Sequence, residues 1–387
     1  MFRGDVFMFI KKFCSLIIVF AILLIFFIVP VTAAEMQFDA KSVILVEAST
    51  GKVLYENNAD EALPPASVTK VMTLLLVMEA IDDGKISLDD MVPVSNNAAS
   101  MGGSQVYLEP GEQMSVDEMI KCVVVSSAND AAGALAEFVA GSEEIFVEKM
   151  NERAKELGMV NSTFENTNGL DDTVSNHLTS ARDIAIMSRE LIKHPKILEY
   201  SSIWMDTIRN GAFTLTNTNR LIRFYNGANG LKTGSTSKAG FCISATALRD
   251  NMQLIAVVMG APNRDTRNEI AKKLLDYGFA NYTVASWDAA ELEPIKLLGG
   301  LQSECRIGYG SFSAVVGKGE RELIERSVSI PENITAPVRE GDVIGEVTYT
   351  LNGEVIGKSD ITALESAAKI GYSGVLSRIF TKIVLAG

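Results

Sequence analysis

The chain has 387 residues, 47% of them apolar and 21% charged, with a formal net charge of −13. That length allows two domains and a sizeable core, and that mixture excludes a disordered polymer. The acidic balance argues against a nucleic-acid partner, which needs basic surface.

The first element in chain order is a targeting segment over residues 1–34. Arg3, Lys11 and Lys12 give a basic start, residues 13–29 are almost wholly apolar, and Pro30 ends the run. Val31-Thr32-Ala33-Ala34 then supplies small residues suited to a signal peptidase, with cleavage expected at Ala33 or Ala34. The alternative is an uncleaved anchor, because the run approaches spanning length. Either way the body of the protein is expected outside the cytoplasm. Cys122, Cys242 and Cys305 remain beyond this segment. Their odd number in an exported protein gives no disulfide framework, and Cys122 and Cys242 sit in apolar runs as small core residues. With no Cys-x-x-Cys and no His-rich cluster, no metal site or cofactor is expected.

Ser42–Glu47 and Val53–Tyr55 around the turn Ser49-Thr50-Gly51-Lys52 predict a hairpin. A helix follows from Ser67 to about Ile81. A helix-rich block runs from about Ser115 to Leu157, opened by the capping pattern Ser115-x-x-Glu118. Another helix covers 180–192. From Gly240 the period becomes that of strands, and FCISATAL and MQLIAVVMG flank the turn Arg249-Asp250-Asn251. A helix over about 265–277 comes next. Strands first and last with helices between predict an α/β (α+β) fold. Its antiparallel sheet is covered by a helical cluster, and the chain returns to its own first strands. Short β-like runs broken by Gly, Pro and Asn then predict a small all-β domain. The expected division is 35–282, 283–368 and a tail over 369–387.

Three short motifs carry chemistry. Ser67-Val68-Thr69-Lys70 stands at a helix start, where i, i+3 spacing brings amine and hydroxyl to one face. Helix-terminal N–H groups add positive potential there. A lysine crowded by cations in a dry site loses pKa and can serve as a base. The tetrad alone is weak, since Ser235-Thr236-Ser237-Lys238 matches it too. Ser127-Ala128-Asn129 falls in a break between apolar helical runs. Its hydroxyl can relay a proton and its amide can hold a substrate carbonyl, although Ser95-Asn96-Asn97 also fits that pattern. Lys232-Thr233-Gly234, the only such triplet, is expected to open the strand leading to Phe241. It offers a cation and a hydroxyl to a carboxylate, and a glycine for close backbone approach. The three motifs in this order are those of class A β-lactamases and penicillin-binding proteins. A Ser-His-Asp hydrolase is disfavoured, because only His177 and His194 exist and no Gly-x-Ser-x-Gly elbow is present.

Over about residues 40–280 the chain closely resembles the low-molecular-mass D-alanyl-D-alanine carboxypeptidases, those similar to penicillin-binding protein 5. The resemblance rests on ASTGKVLYENNADEALPPASVTKVMT, VVSSANDAAGALAE, LKTGSTSKAGF, LIAVVMGAPNRDTR and KLLDYGF. It implies a β-lactamase/transpeptidase-like catalytic fold with Ser67 as acylated nucleophile and Lys70 as base. Ser127 and Asn129 would form the second element, and Lys232, Thr233 and Gly234 the third. Arg267 would help hold a terminal carboxylate, and the backbone N–H groups of Ser67 and Ser235 would form the oxyanion hole. Asn168-Gly169-Leu170-Asp171 and His177 match the family's loop beside the site. The implied partners are peptidoglycan stem peptides ending in D-Ala-D-Ala and β-lactam antibiotics. Ala128 and Ser235 depart from the glycine and histidine of some relatives, which bears on donor preference and rate.

Two other readings stay open at this level. A class A-like β-lactamase would need a deacylating glutamate, and Glu165 lies at a tempting distance but one residue out of pattern. A non-catalytic β-lactam-sensing or wall-binding protein would not need Ser67, Lys70 and Lys232 together. In the tail, Val375, Leu376, Ile379, Phe380, Ile383 and Val384 share one helical face, with Arg378, Thr381 and Lys382 on or beside the other. At this length the tail is too short to span a bilayer and suits its interface. The expected place is the outer face of the cytoplasmic membrane, and the alternative is packing on the β domain.

Overall fold

The computed structural model describes residues 36–385. The predicted export segment, with Ala33 and Ala34, lies outside the described residues. The sheet that carries the site has five strands: β1 (Ser42–Glu47), β2 (Val53–Asn57), β3 (Ala228–Thr236), β4 (Gly240–Arg249) and β5 (Met252–Ala261). All neighbours are antiparallel, in the order β2-β1-β5-β4-β3. The last strand therefore does return to the first, pairing Ile44 with Val257 and Val46 with Ile255.

All six residues of β1 are buried, so the strand shows no in–out alternation. The strand lies between β2 and β5, with helices over both faces. Ile44 and Val46 enter the helical core. Leu45 points the other way, toward Gly278 of the C-terminal helix of this unit. A strand covered on both sides favours a continuous apolar run over a period of two. The β4–β5 turn is a two-residue one, with Asp250 and Asn251 at φ 48° and 60°. That is the left-handed geometry a tight hairpin requires.

The helices are α1 (Lys70–Asp82), α2 (Val116–Val125), α3 (Asn129–Ala140), α4 (Glu143–Glu156), α5 (Ala181–Leu191) and α6 (Arg264–Asn281). Ser115, Ser142, Ser180 and Asn263 cap α2, α4, α5 and α6, each accepting from a backbone N–H three residues on. α1 is apolar nearly all round, with Val71, Met72, Leu74, Leu75, Val77 and Met78 all buried. Such a helix runs through a core instead of over it. Ser67 precedes it in a 3-10 turn, Ala66–Thr69, so the tetrad spans a turn and the first α-helical residue.

Residues 195–224, silent in the sequence reading, hold a short helix (Pro195–Ser201), a hairpin (Met205–Ile208 with Phe213–Thr216) and one helical turn (Leu221–Phe224). Beyond Tyr282 the chain is all strand up to Ala363, apart from one 3-10 turn. Its larger sheet pairs Ile324–Ser329 with Val343–Leu351 and that strand with Glu354–Ala363. Stacked rings hold its interior, with Phe312 4.1 Å from Tyr349 and 5.7 Å from Trp287. Lys52, in the β1–β2 turn, donates to the Val315 carbonyl at 2.8 Å and ties the two parts together. The tail forms α7 (Tyr372–Leu385), on which Val375, Leu376, Ile379, Phe380 and Ile383 are exposed. The side chains of Arg378, Thr381, Lys382 and Val384 lie outside the described residues. Among the described residues, no helix is long and apolar enough to cross a membrane.

Candidate active site

Ser67 sits where the 3-10 turn meets α1, and the backbone just before it is unusual. Ala66 has φ 49°, a left-handed conformation that an alanine adopts at a cost of order 1 kcal/mol. Neighbouring segments hold the turn in place. Gly234 of β3 lies so close that a Cβ there would meet Ser67 N at 2.7 Å and Pro65 O at 2.9 Å. Gly169, at φ 85°, presses on the other side, where a Cβ would fall 1.9 Å from the Ala66 carbonyl oxygen. The glycine of the third motif thus admits the protein's own nucleophile turn.

Lys70 is fully buried, and its Nζ lies 3.0 Å from Ser67 Oγ. The amine also donates to Asn129 Oδ1 at 2.6 Å and to the Asn168 carbonyl at 2.8 Å. A neutral amine has two N–H groups, and these acceptors use both. The lone pair is left facing the serine hydroxyl. Burial, then the charge of Lys232, pushes the Lys70 pKa well below the ordinary lysine range, with Asp130 opposing. The geometry is that of a base beside its nucleophile.

Ser127 lies in the gap between α2 and α3 at φ 63°, and its Oγ accepts from Lys232 Nζ at 2.8 Å. Asn129 opens α3 and is buried, with its Nδ2 donating to the Gly102 carbonyl at 2.6 Å. Both ends of that amide already serve the protein, so Asn129 orients Lys70 from behind the cleft. Lys232 is buried too, and desolvation, then the charge of Arg267, pushes its pKa down to about 7. Thr233 donates to Thr218 Oγ1 at 2.8 Å. Arg267, one turn into α6, donates to Asn268 Oδ1 and reaches the Cys242 carbonyl at 3.4 Å. Burial lowers its pKa to about 10. The predicted strand running from Lys232 to Phe241 is two strands. The motif lies within the edge strand β3, a turn covers 237–239, and Phe241 belongs to β4, opposite Ser235. No proline marks that turn, so the sequence reads through it.

Ser67, Ser127, Thr233, Gly234, Ser235 and Arg267 line one cleft of about 680 Å³. Lys70, Asn129 and Lys232 stand directly behind it. Sequence reasoning gave no role to Thr218 or Trp204, which lie in a stretch without a motif, and it placed Asn168 only in a loop beside the site, without the contact its carbonyl makes with Lys70. The two decoys fall away: Lys238 donates to the Asp171 carbonyl and not to Ser235, and Ser95 caps the short helix Asn96–Ser100 by accepting from Ala98 N at 2.9 Å. Glu165 is exposed, and its carboxylate accepts from the Ser175 and Asn176 N–H groups at 3.1 and 2.8 Å. It clamps its own loop and does not line the cleft. His177 is buried, accepts from Glu165 N at Nδ1 and therefore donates from Nε2 to Thr69 Oγ1 at 2.7 Å. Desolvation lowers its pKa to about 4, so it serves as a neutral strut.

The profile of the D-alanyl-D-alanine carboxypeptidase peptidases matches residues 29–263. The chain belongs to this family. A second profile, the C-terminal domain of penicillin-binding protein 5, matches residues 297–369. The D-alanyl-D-alanine carboxypeptidase DacF of Bacillus subtilis is 42% identical over 352 residues, 89% of this chain and 90% of that one. The crystal structure of penicillin-binding protein 5 from Haemophilus influenzae superposes with a TM-score of 0.77 at 32% identity, covering 86% of this chain and 99% of that one. Penicillin-binding protein D2 from Listeria monocytogenes, in its ampicillin-bound form, aligns at 33% identity and a TM-score of 0.58 over 63% of this chain and 98% of its own. As a member of the family, the protein is a serine-type D-alanyl-D-alanine carboxypeptidase, and the expected transpeptidase-like fold is borne out.

Proposed function

We propose that this enzyme trims peptidoglycan stem pentapeptides through an ester on Ser67, with Lys70 as the base. The observation that carries the reading is the buried Lys70 amine, 3.0 Å from Ser67 Oγ and with both N–H groups engaged elsewhere. Ser67 Oγ bonds to the carbonyl carbon of the penultimate D-Ala as its proton passes to Lys70. Backbone N–H groups of Ser67 and Ser235 receive the oxyanion. Ser127, bonded to Lys232, relays a proton to the leaving amine, the C–N bond breaks and the terminal D-Ala departs. Water then cleaves the ester. Lys232, Thr233 and Arg267 receive the terminal carboxylate, Gly234 lets β3 close on the nucleophile turn, and Asn129 positions Lys70.

A β-lactam would acylate Ser67 and persist, since its leaving group stays tethered and Glu165 is engaged in its own loop. Mass spectrometry of penicillin-treated protein should find the adduct on the Ser67 peptide, and untreated protein should release D-Ala from a D-Ala-D-Ala peptide. An adduct elsewhere would overturn the assignment. On this reading residues 35–282 form the catalytic domain, 283–368 a small all-β domain and 369–387 a tail. Residues 1–34 export the chain. The exposed apolar side chains of α7 support its lying in the outer face of the cytoplasmic membrane, where the substrate is assembled.

A further inference from the structure

The cleft carries more cations than the single carboxylate of a leaving alanine needs. Its volume of about 680 Å³ falls in the range of drug-sized ligand sites, about 300–1,000 Å³. Lys232, Thr233 and Arg267 mark where the leaving residue's carboxylate would rest. Two further arginines line the same cleft beside that point. Arg264 precedes Arg267 by one turn of α6 and therefore sits on the same side of the helix. Arg220 follows Thr218, whose hydroxyl accepts from Thr233 at 2.8 Å. Both arginines are exposed, and neither has an ion pair or side-chain hydrogen bond among the described residues. Among those residues no Asp or Glu lines the cleft, although the protein carries a net charge of −13. An aromatic wall stands next to the arginines. Phe224, 69% exposed, meets Trp204 edge-on at 6.1 Å, and Arg223 lies over both rings. The Trp204 Nε1–H is buried without an acceptor.

We propose that this part of the cleft is a subsite for a leaving amino acid larger than alanine, one whose side chain carries a second carboxylate read by Arg220 and Arg264. The enzyme would then cleave D-Ala–X bonds in which X is a D-configured dicarboxylic amino acid. The inference rests on the carboxypeptidase reading of Ser67 and the carboxylate site. The chemistry is unchanged. The ester forms on Ser67, the C–N bond to X breaks, the amine of X takes the proton, and water regenerates the serine.

The test uses three acyl peptides that end in D-Ala-D-Ala, D-Ala-D-Glu and D-Ala-D-Gln, with kcat/KM read from release of the last residue. D-Glu and D-Gln have nearly the same size and differ in side-chain charge. The wild-type enzyme should favour D-Glu over D-Gln about five- to tenfold, as two exposed cations allow. In an Arg220→Ala, Arg264→Ala double variant that ratio should fall toward one, and lysine at both positions should restore part of it. Equal rates for D-Glu and D-Gln, or a preference that survives in the double variant, would overturn the subsite. Release of D-Ala without preferred release of D-Glu removes the subsite alone. Failure to release any of the three residues removes the carboxypeptidase reading and the subsite with it.

Discussion

Lys70 at an exposed helix start would be an ordinary cation. Inside the core, held by Asn129 and Asn168 and with the charge of Lys232 nearby, its pKa falls well below the ordinary lysine range, as the proposed base requires. Lys70→Ala should slow acylation by a β-lactam about 10²–10⁴-fold, the usual loss of a general base, with the fold intact by circular dichroism. Wild-type acylation in that variant would refute the role. Lys232 gives a pH signature. Its pKa is about 7 in the folded protein and about 10.5 when the chain unfolds. Above pH 7 it loses the charge that meets the substrate's carboxylate, so kcat/KM for an acid substrate should fall on that limb. Stability moves the other way. Between about pH 7 and 10.5 the unfolded chain binds the extra proton, so this group's contribution rises with pH, by up to about 1.4 kcal/mol per unit. Thermal unfolding at pH 7 and 9 should therefore show wild type gaining on Lys232→Met. A constant gap between the two would contradict the buried, depressed lysine.

At the scale of elements, the site is a meeting of an edge strand, a 3-10 turn and a loop. Gly234 and Gly169 let β3 and the 166–171 segment touch the nucleophile turn from two sides. The Thr69–His177 bond fastens the same turn to that loop. Gly234→Ala places a methyl 2.7 Å from Ser67 N, so β3 must move away from the serine. A displacement near 1 Å costs about 10²-fold when reacting groups lose alignment. The variant should stay folded yet lose acylation by about that factor, measured by burst kinetics with a chromogenic cephalosporin. An unchanged burst rate would show that the contact is dispensable. Capped helices such as α2 and α5 were legible in sequence because the cap, the first acidic turn and the apolar period agree locally. The 195–224 segment was not, since its pieces are too short to carry a period.

For the whole molecule, α7 exposes Val375, Leu376, Ile379, Phe380 and Ile383. It begins just after Ile370, whose N–H bonds to the Gly299 carbonyl at 2.8 Å, so the β domain does not need the helix for its own ladder. Deleting residues 372–387 should leave carboxypeptidase activity intact and move the enzyme from the membrane fraction to the medium. If the truncated protein stayed with membranes, the N-terminal segment would be the anchor instead. The Lys52–Val315 bond and the ring stack of Trp287, Phe312 and Tyr349 belong to the folded body and should be untouched by the deletion.

By itself the sequence determined the chemistry and its order along the chain. Ser67, Lys70, Ser127, Lys232 and Thr233 are candidates that their functional groups single out, and short spacings such as Ser67 to Lys70 translate directly into contact. It also determined where α2 and α5 begin, because caps and periodicity act within a few residues. Only the tertiary structure decided which Ser-x-x-Lys brings its amine to its own serine, that Glu165 clamps its own loop, and that Asn129 and the Asn168 carbonyl take both protons of the Lys70 amine. Those outcomes depend on burial and on partners 59 and 98 residues away in the chain, and desolvation of a lysine has no local signature.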